Sequence, residues 1–360
     1  MDGGADPNAP RPPDGVAPTG PGERPSLGTF LRGHPILCLA ILTPGIPEYL
    51  STSSSVLTLA ISPAGFFLQL AINIAQYTAG ALLIREALVR WGKGWVTLIL
   101  LGLAYVITEE GLGDNTLFNS THGADGVLGS FGRFAGVNWV WATGVLAFHV
   151  IYSIGLPILL LGLALPATRG KSLVGRRGIG IAFASLVGST TLEAAIVYGS
   201  FHFWMGTPLL VGSLATIAVL VLVAYRVPKD LARPTGARPA LSAGTFLTIG
   251  FAIFPMLFLL EYDVPYFGVP PWVIIGGELA VLAFLFEVVR RGIGRQQHQY
   301  ELVNFAFGFV IWQSVFGVLL TLGFPVNLAL VAIAVWFFVR LRRTYRTRSG
   351  SASRSVGSPS

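Results

Sequence analysis

Long apolar stretches recur along the chain and are separated by short polar segments. A hydrocarbon core of about 30 Å is crossed by about 20 mostly apolar helical residues. Ten stretches approach this length, at roughly residues 34–50, 64–88, 94–111, 136–164, 178–203, 207–227, 243–261, 270–289, 299–321 and 324–341. The pattern predicts an all-α, polytopic transmembrane helix bundle of about ten membrane segments. The first segment contains Pro44 and Pro47, and because proline disrupts helical hydrogen bonding, we expect this helix to be short or broken.

Composition supports a membrane location. Hydrophobic residues make up 53% of the 360 residues and charged residues 11%, against about 25% charged residues in soluble domains. The predicted partner is therefore a lipid bilayer. The net charge of +7 is not arranged as a basic stripe with interleaved aromatic residues, so nucleic acid is not an expected partner. With Cys38 as its single cysteine, the chain cannot form an internal disulfide or a cysteine-based zinc cluster.

The composition changes at both ends of the apolar region. Residues 1–28 are rich in Pro, Gly and Asp, and the last residues are rich in Ser and Gly. Such segments bury too little apolar surface to fold. We therefore predict a transmembrane domain at 29–345, flanked by disordered tails at 1–28 and 346–360.

Basic residues predict the orientation. Lys and Arg cluster in the segments after the second, fourth, sixth and eighth apolar stretches and in the tail, whereas the intervening segments hold one basic residue, Arg133. Because cytoplasmic loops carry the excess of Lys and Arg, both termini are expected to be cytoplasmic in the cell membrane. Arg90 follows Glu86 by four residues, which predicts a surface ion pair at the inner end of the second helix.

Ionisable residues at membrane depth are costly, so each is a candidate functional residue. They are Glu48, Glu109, Glu110, His149, Glu193, His202 and Glu278. The pair Glu109 and Glu110 ends the third segment, although a helix C-terminus disfavours carboxylates. The pair is either part of a cavity or a solvated helix end at the interface. The second segment also carries a polar stripe that should face the bundle interior, formed by Gln69, Asn73, Gln76 and Tyr77.

Two further acid and histidine positions extend the candidate catalytic set. His149 and Glu193 lie at similar depth in successive segments and could form a charge-assisted pair, which would either serve a function or only join two helices. His202 lies nine residues beyond Glu193, on roughly the opposite face, and is either a site residue or an interfacial histidine. The Gly-rich segment 111–136 could form a lid over Glu109 and Glu110.

Two parts of the sequence resemble known families. Residues 80–112 and 131–160 resemble a group of uncharacterised prokaryotic multi-pass membrane proteins. The order of Glu109-Glu110, a helix with His149 and a helix with His202 is similar to the CPBP family of intramembrane proteases (CAAX protease and bacteriocin-processing). This resemblance implies that the two glutamates supply an acid/base carboxylate. It also implies that the two histidines hold a metal or the oxyanion, with a divalent metal such as zinc as the cofactor.

The sequence departs from the CPBP motifs at three positions. Asp114 stands where the Glu-Glu motif has Arg, Val145 stands four residues before His149 where that family has Phe, and Gly206 stands where Asn or Asp would follow His202.

Three functions are compatible with the sequence. The first is a CPBP-like hydrolase of a membrane peptide or small molecule, for which at least one glutamate and two histidines should converge. The second is a secondary transporter or channel built from two inverted five-helix repeats, which requires a break in the sixth segment to match the first. The third is a non-enzymatic membrane partner or assembly protein. No P-loop, dinucleotide fingerprint, GxSxG or HExxH motif occurs.

Overall fold

The computed structural model describes residues 30–31, 33–123, 127–229, 231, 241–292, 299–322 and 325–355. The tail predicted at residues 1–28 lies outside them. The helices belong to a compact unit that begins at Pro35.

Ten apolar helices follow one another within the described residues, which confirms the predicted all-α, polytopic bundle. Nine are long and apolar enough to cross a membrane, and the first is shorter. They are α1 (Pro35–Leu50), α2 (Pro63–Trp91), α3 (Trp95–Gly113), α4 (Trp139–Ala164), α5 (Arg176–Phe201), α6 (Gly206–Arg226), α7 (Ala243–Phe267), α8 (Pro271–Gly292), α9 (Gln299–Leu320) and α10 (Pro325–Ser355). Helix α10 thus enters the segment 346–360 for which a tail is predicted, and residues 356–360 lie outside the described residues.

Short elements connect the long helices. One-turn helices lie at Thr58–Ile61 and Val127–Ser130. Strands β1 (Arg133–Phe134) and β2 (Val137–Asn138) pair in antiparallel register.

Local sequence sets the helix ends. The Ser62 side chain accepts a hydrogen bond from the backbone N–H of Gly65, and Pro63 occupies the first position of α2, where its missing N–H costs nothing. Gly92 ends α2 with a φ of 62°, a left-handed conformation that glycine adopts without strain. Asn138 caps α4 by accepting from the N–H of Trp141.

Glycines allow two helices to approach closely. A Cβ on Gly308 of α9 would overlap the backbone carbonyl of Leu247 in α7, and one on Gly250 would overlap that of Phe305. Further along α9, a Cβ on Gly317 would overlap the carbonyl of Leu50 at the end of α1. Small residues permit this backbone contact, which drives helix association in lipid.

The predicted ion pair of Glu86 and Arg90 forms, but only its arginine is exposed at the surface. Glu86 is only 1% exposed. It accepts hydrogen bonds from Arg90 Nε (3.2 Å) and from the Leu173 N–H (2.6 Å), while the neighbouring Arg85 donates to the carbonyl of Thr168. The Glu86 carboxylate is therefore a buried clamp that holds the segment after α4 against α2, because it accepts from a loop amide as well as from an arginine.

Four π-helical turns interrupt the α-helices in the described part of the chain. They are Gly45–Leu50 in α1, Ile107–Gly113 in α3, Val150–Gly155 in α4 and Leu259–Asp263 in α7. Helix α1 is thus short, which is one of the two predicted forms. It is not broken at Pro44, because it continues there as a π turn. Helix α6 has no such turn, so the break that inverted repeats require in the sixth segment is not found.

Candidate functional site

Three side chains of the predicted set converge on one point. His149 Nε2 lies 2.8 Å from Glu110 Oε1, and His149 Nδ1 lies 3.2 Å from Glu109 Oε2. All three residues are buried. The imidazole ring is therefore contacted by a carboxyl group at each of its nitrogens. The alternative in which Glu109 and Glu110 are a solvated helix end is wrong, because both carboxyl groups are enclosed by protein.

The π turns explain this convergence. Both glutamates lie in the π turn that ends α3, and His149 directly precedes the π turn of α4. A π turn holds one extra residue per hydrogen-bonded ring, and such turns occur frequently at functional sites. The wider turn lets adjacent residues such as Glu109 and Glu110 reach the same histidine.

The hydrogen bonds of the two glutamates differ. Glu110 accepts from the hydroxyl of Thr116 through its other oxygen, Oε2. Glu109 Oε2 has no hydrogen-bond partner, since its 3.2 Å approach to His149 lies outside hydrogen-bond geometry. His149 Nδ1 instead shares a hydrogen bond of 2.9 Å with Ser153 Oγ. Glu110 is thus held on two sides, whereas Oε2 of Glu109 is buried against His149 without a hydrogen bond.

A third carboxyl group lies beside this cluster. Glu48, in the π turn of α1, accepts from Tyr77 OH (2.6 Å) and from Ser54 Oγ (2.7 Å). Asn73 donates to the same Ser54 oxygen. The ring of Tyr77 lies 6.0 Å from that of His149. Asn73, Gln76 and Tyr77 of the polar stripe of α2 are thus buried in the bundle, as predicted, whereas Gln69 is exposed. Tyr77 connects Glu48 to the histidine cluster.

Glu193 does not pair with His149, and that predicted pair is wrong. Its Oε2 accepts instead from Gln76 Nε2 at 2.9 Å. Both nitrogens of His149 are already occupied by groups from its own helix and α3, so none remains for α5. Glu193 nevertheless lines the same cavity as His149.

His202 lies apart from the cluster. It caps the C-terminus of α5 with a φ of 52°, it is exposed, and it does not line the cavity. One histidine and two glutamates converge, therefore, rather than the two histidines that the hydrolase hypothesis expected. The helix ends before His202 can turn inward.

A cavity of about 740 Å³ opens beside the three converging residues. This volume is within the usual range of about 300–1,000 Å³ for ligand sites. Carboxyl groups and aromatic rings dominate its wall, and no Lys or Arg of the described residues lines it. The carboxyl groups belong to Glu48, Glu109, Glu110, Asp114, Glu193 and Glu261. The cavity thus combines an acidic face with an apolar one.

Glu261 lines the cavity but is not among the candidate residues predicted from the sequence. It lies in the π turn of α7, is 8% exposed, and its Oε1 has no hydrogen-bond partner. Glu278, which was selected, is fully buried with both oxygens unpartnered but does not line the cavity. The sequence pattern that could have indicated Glu261 is an acidic residue at the end of the apolar stretch of α7.

Part of the segment 111–136 covers the cluster. Thr116 bonds Glu110, while Asp114 Oδ1 lies 2.8 Å from His122 Nε2. Arg133 Nη1 donates to the carbonyl oxygens of Phe118 and Gly136. The Thr116 contact joins the segment to Glu110, and the other contacts join parts of the segment to one another. Residues 124–126 lie outside the described part.

The same three residues could hold a metal. One ligand atom from each of Glu109, Glu110 and His149 lies within 4.8 Å of the others. Three protein ligands of the His and carboxylate type leave a fourth position for water in catalytic zinc sites. The donor set therefore fits a divalent cation as well as a direct carboxylate–imidazole contact.

The fold and the cluster define a multi-pass helical membrane protein with a buried Glu/His site. The chain belongs to an uncharacterized membrane protein family, whose model matches residues 37–345. No curated protein and no solved structure matches the chain.

Proposed function

We propose that the protein is an intramembrane hydrolase in which Glu109, Glu110 and His149 activate water against an amphiphilic substrate. The observation that carries this proposal is the convergence of the three side chains at the wall of one large cavity. Carboxyl and imidazole groups in contact with each other beside a cavity are typical of general acid–base sites. The CPBP-like interpretation is kept for the two glutamates and His149, without a role for His202.

The hydrogen bonds suggest a division of roles. Glu109 has the oxygen without a partner, so it is the proposed general base that takes a proton from water. The water oxygen attacks the substrate carbonyl carbon, the bond to the leaving amine or alkoxide breaks, and the abstracted proton goes to that leaving group. Glu110, held by Thr116, positions the His149 ring, which in turn lies against Glu109.

The proposal allows for a divalent metal bound by the three residues of the cluster. Glu109, Glu110 and His149 would hold it, and a bound metal would lower the pKa of its water. Metal analysis of the purified protein, before and after treatment with a chelator, tests this part separately from activity.

We further propose that both termini are cytoplasmic in the cell membrane, which puts the cluster in the outer half of the bilayer. The support is the alternation of basic residues between successive connecting segments.

The test of the hydrolase proposal is a cleavage assay on the full chain reconstituted in liposomes with a panel of membrane peptides and lipid amides. Mass spectrometry follows the products. We expect Glu109→Gln to lower the rate by about 100-fold or more, as removal of a general acid–base group does. Glu110→Gln should lower it by about 100-fold, because a displaced side chain in a catalytic site has an effect of that size. Ser200→Ala, on the exposed face of α5, should cleave like the wild type. Full activity in both glutamine variants, each folded, would contradict the proposal.

A secondary transporter is the second candidate, and the row of carboxyl groups along the cavity favours it. Substrate uptake driven by a proton gradient, without any covalent change in the substrate, would support transport over hydrolysis.

A further inference from the structure

A carboxyl group without a hydrogen-bond partner on one oxygen lies in the cavity wall at Glu261, outside the cluster of His149. Glu261 is 8% exposed, its Oε1 has no hydrogen-bond partner, and it lines the cavity. Its carboxyl group lies directly against Gly144, where a Cβ would overlap it. An unpartnered carboxyl group is costly at membrane depth, so a partner from outside the chain would relieve this cost.

Five aromatic residues share the cavity wall with Glu261. Phe258 and Tyr262, on either side of Glu261 in the sequence, stack with their ring centroids 4.4 Å apart. Trp141 meets the edge of Tyr262 at 6.2 Å. On α9, Trp312 and Phe316 lie 5.8 Å apart, and both contact the ring of Phe258. All five aromatic residues line the cavity together with Glu261.

A carboxyl group within an aromatic wall is the chemistry that recognises an organic cation. Ring faces attract ammonium groups by the cation–π interaction, most strongly when the group is desolvated, and the carboxylate supplies the opposite charge and a hydrogen-bond acceptor. No Lys or Arg of the described residues lines the cavity to supply that charge from within.

An inorganic cation fits this position less well. Calcium and magnesium take six or more oxygen ligands, and the metal-ligating group found among the described residues is Glu109, Glu110 and His149. Glu261 is outside that group.

We propose that Glu261 and the aromatic residues around it form a subsite for the ammonium group of an amine-bearing amphiphilic substrate. The proposal deepens the hydrolase proposal and rests on it for the fate of the bound molecule. The ammonium group occupies the Glu261 subsite, the apolar part of the substrate lies along the aromatic wall, and the bond to be cleaved reaches Glu109 and His149.

The test is binding by isothermal titration calorimetry to the full chain in neutral maltoside micelles. The probes are 2-phenylethylammonium, 2-phenylethanol and 3-phenylpropionate, which share an aromatic body and differ in charge. We expect saturable binding of the ammonium probe alone. Glu261→Gln should weaken this binding by about 10- to 100-fold, since hydrogen bonds to charged groups contribute about 1.5–3 kcal/mol.

Two more variants keep the test decisive. Trp312→Leu, which removes a ring but no carboxyl group, should weaken ammonium binding by about three- to tenfold. Glu287→Gln removes a carboxylate of α8 that pairs with Arg290 and does not line the cavity, and it should bind like the wild type. Each variant must keep the wild-type unfolding midpoint. If Glu261→Gln does not fold, the Trp312 variant and the comparison of the three probes still decide.

Several results would overturn the subsite. They are equal binding of the three probes, absence of ammonium binding, unchanged affinity in folded Glu261→Gln, and displacement of the ammonium probe by millimolar magnesium or calcium. Because binding needs no turnover, the two proposals fail separately. Ammonium binding with no cleavage of any substrate contradicts only the hydrolase, whereas cleavage without ammonium selectivity contradicts only the subsite.

Discussion

Removal of the His149 ring should expose how strongly the cluster is coupled. The ring contacts Glu110 at 2.8 Å and Glu109 at 3.2 Å, and all three side chains are at most 9% exposed. His149→Leu leaves two carboxyl groups buried without their nitrogen partner. Breaking a buried pair by deleting one partner costs about 3–5 kcal/mol, so we expect the free energy of unfolding to fall by about this amount. Glu110→Met should have a similar cost, because it leaves Nε2 of the His149 imidazole without its partner.

The double variant measures the coupling itself. His149→Leu with Glu110→Met replaces both partners by apolar groups, so the cost should be about 1–3 kcal/mol less than the sum of the single variants. The assay is equilibrium unfolding of the purified chain in mixed maltoside and dodecyl sulfate micelles, followed by circular dichroism. As a control, Glu287→Met shares no partner with His149, and its combination with His149→Leu should be additive. Additivity in the Glu110 cycle as well would refute the contact.

Three other predictions concern the fold and its orientation. Gly308→Ala should destabilise the bundle by about 1–3 kcal/mol, because its Cβ overlaps the α7 backbone; the same unfolding assay would contradict this if the variant were as stable as the wild type. Glu86→Gln should cost about 1.5–3 kcal/mol and increase proteolysis after α4, since the carboxylate holds the Leu173 amide; unchanged proteolysis would argue against the clamp. For the orientation, single cysteines are introduced in a Cys38→Ala background, which lacks the native thiol. In intact cells, Lys171→Cys should resist a membrane-impermeant maleimide and Ser120→Cys should react with it. The reverse labelling pattern would contradict the proposed topology.

The hydrophobic pattern predicted the helices well because bilayer thickness sets their length. Each of the ten apolar stretches corresponds to a helix. Three of the four residues of the polar stripe of α2 are buried, since unpaired amides are costly in lipid. The rule that ionisable groups at membrane depth are candidates also selected Glu109, Glu110 and His149.

The partners of these residues could not be predicted in the same way. Each π turn adds one residue and rotates the later residues of its helix by about 100°, so a regular helix misplaces residues beyond Gly45 or Ile107. The hydrophobic pattern carries no signal for such a turn. Helix α5 contains no π turn, and Glu193 reaches Gln76 rather than His149 because closer groups already contact both nitrogens of the histidine.

Glu261 was overlooked for a related reason. It ends an apolar stretch at 243–261, where an acid is ordinarily an interfacial residue. Its π turn and the glycine at position 144 bring it instead into the cavity wall, and a contact between residues this far apart in the chain needs the three-dimensional structure.

The central claim is that water, activated by the Glu/His cluster, cleaves a substrate in the membrane. The most direct measurement is cleavage of an amine-bearing lipid amide by the reconstituted chain in ¹⁸O-water, with mass spectrometry of the new carboxyl group. We predict one ¹⁸O atom for each bond cleaved by the wild type and no product from Glu109→Gln. Product without ¹⁸O, or equal product from the glutamine variant, would contradict the claim.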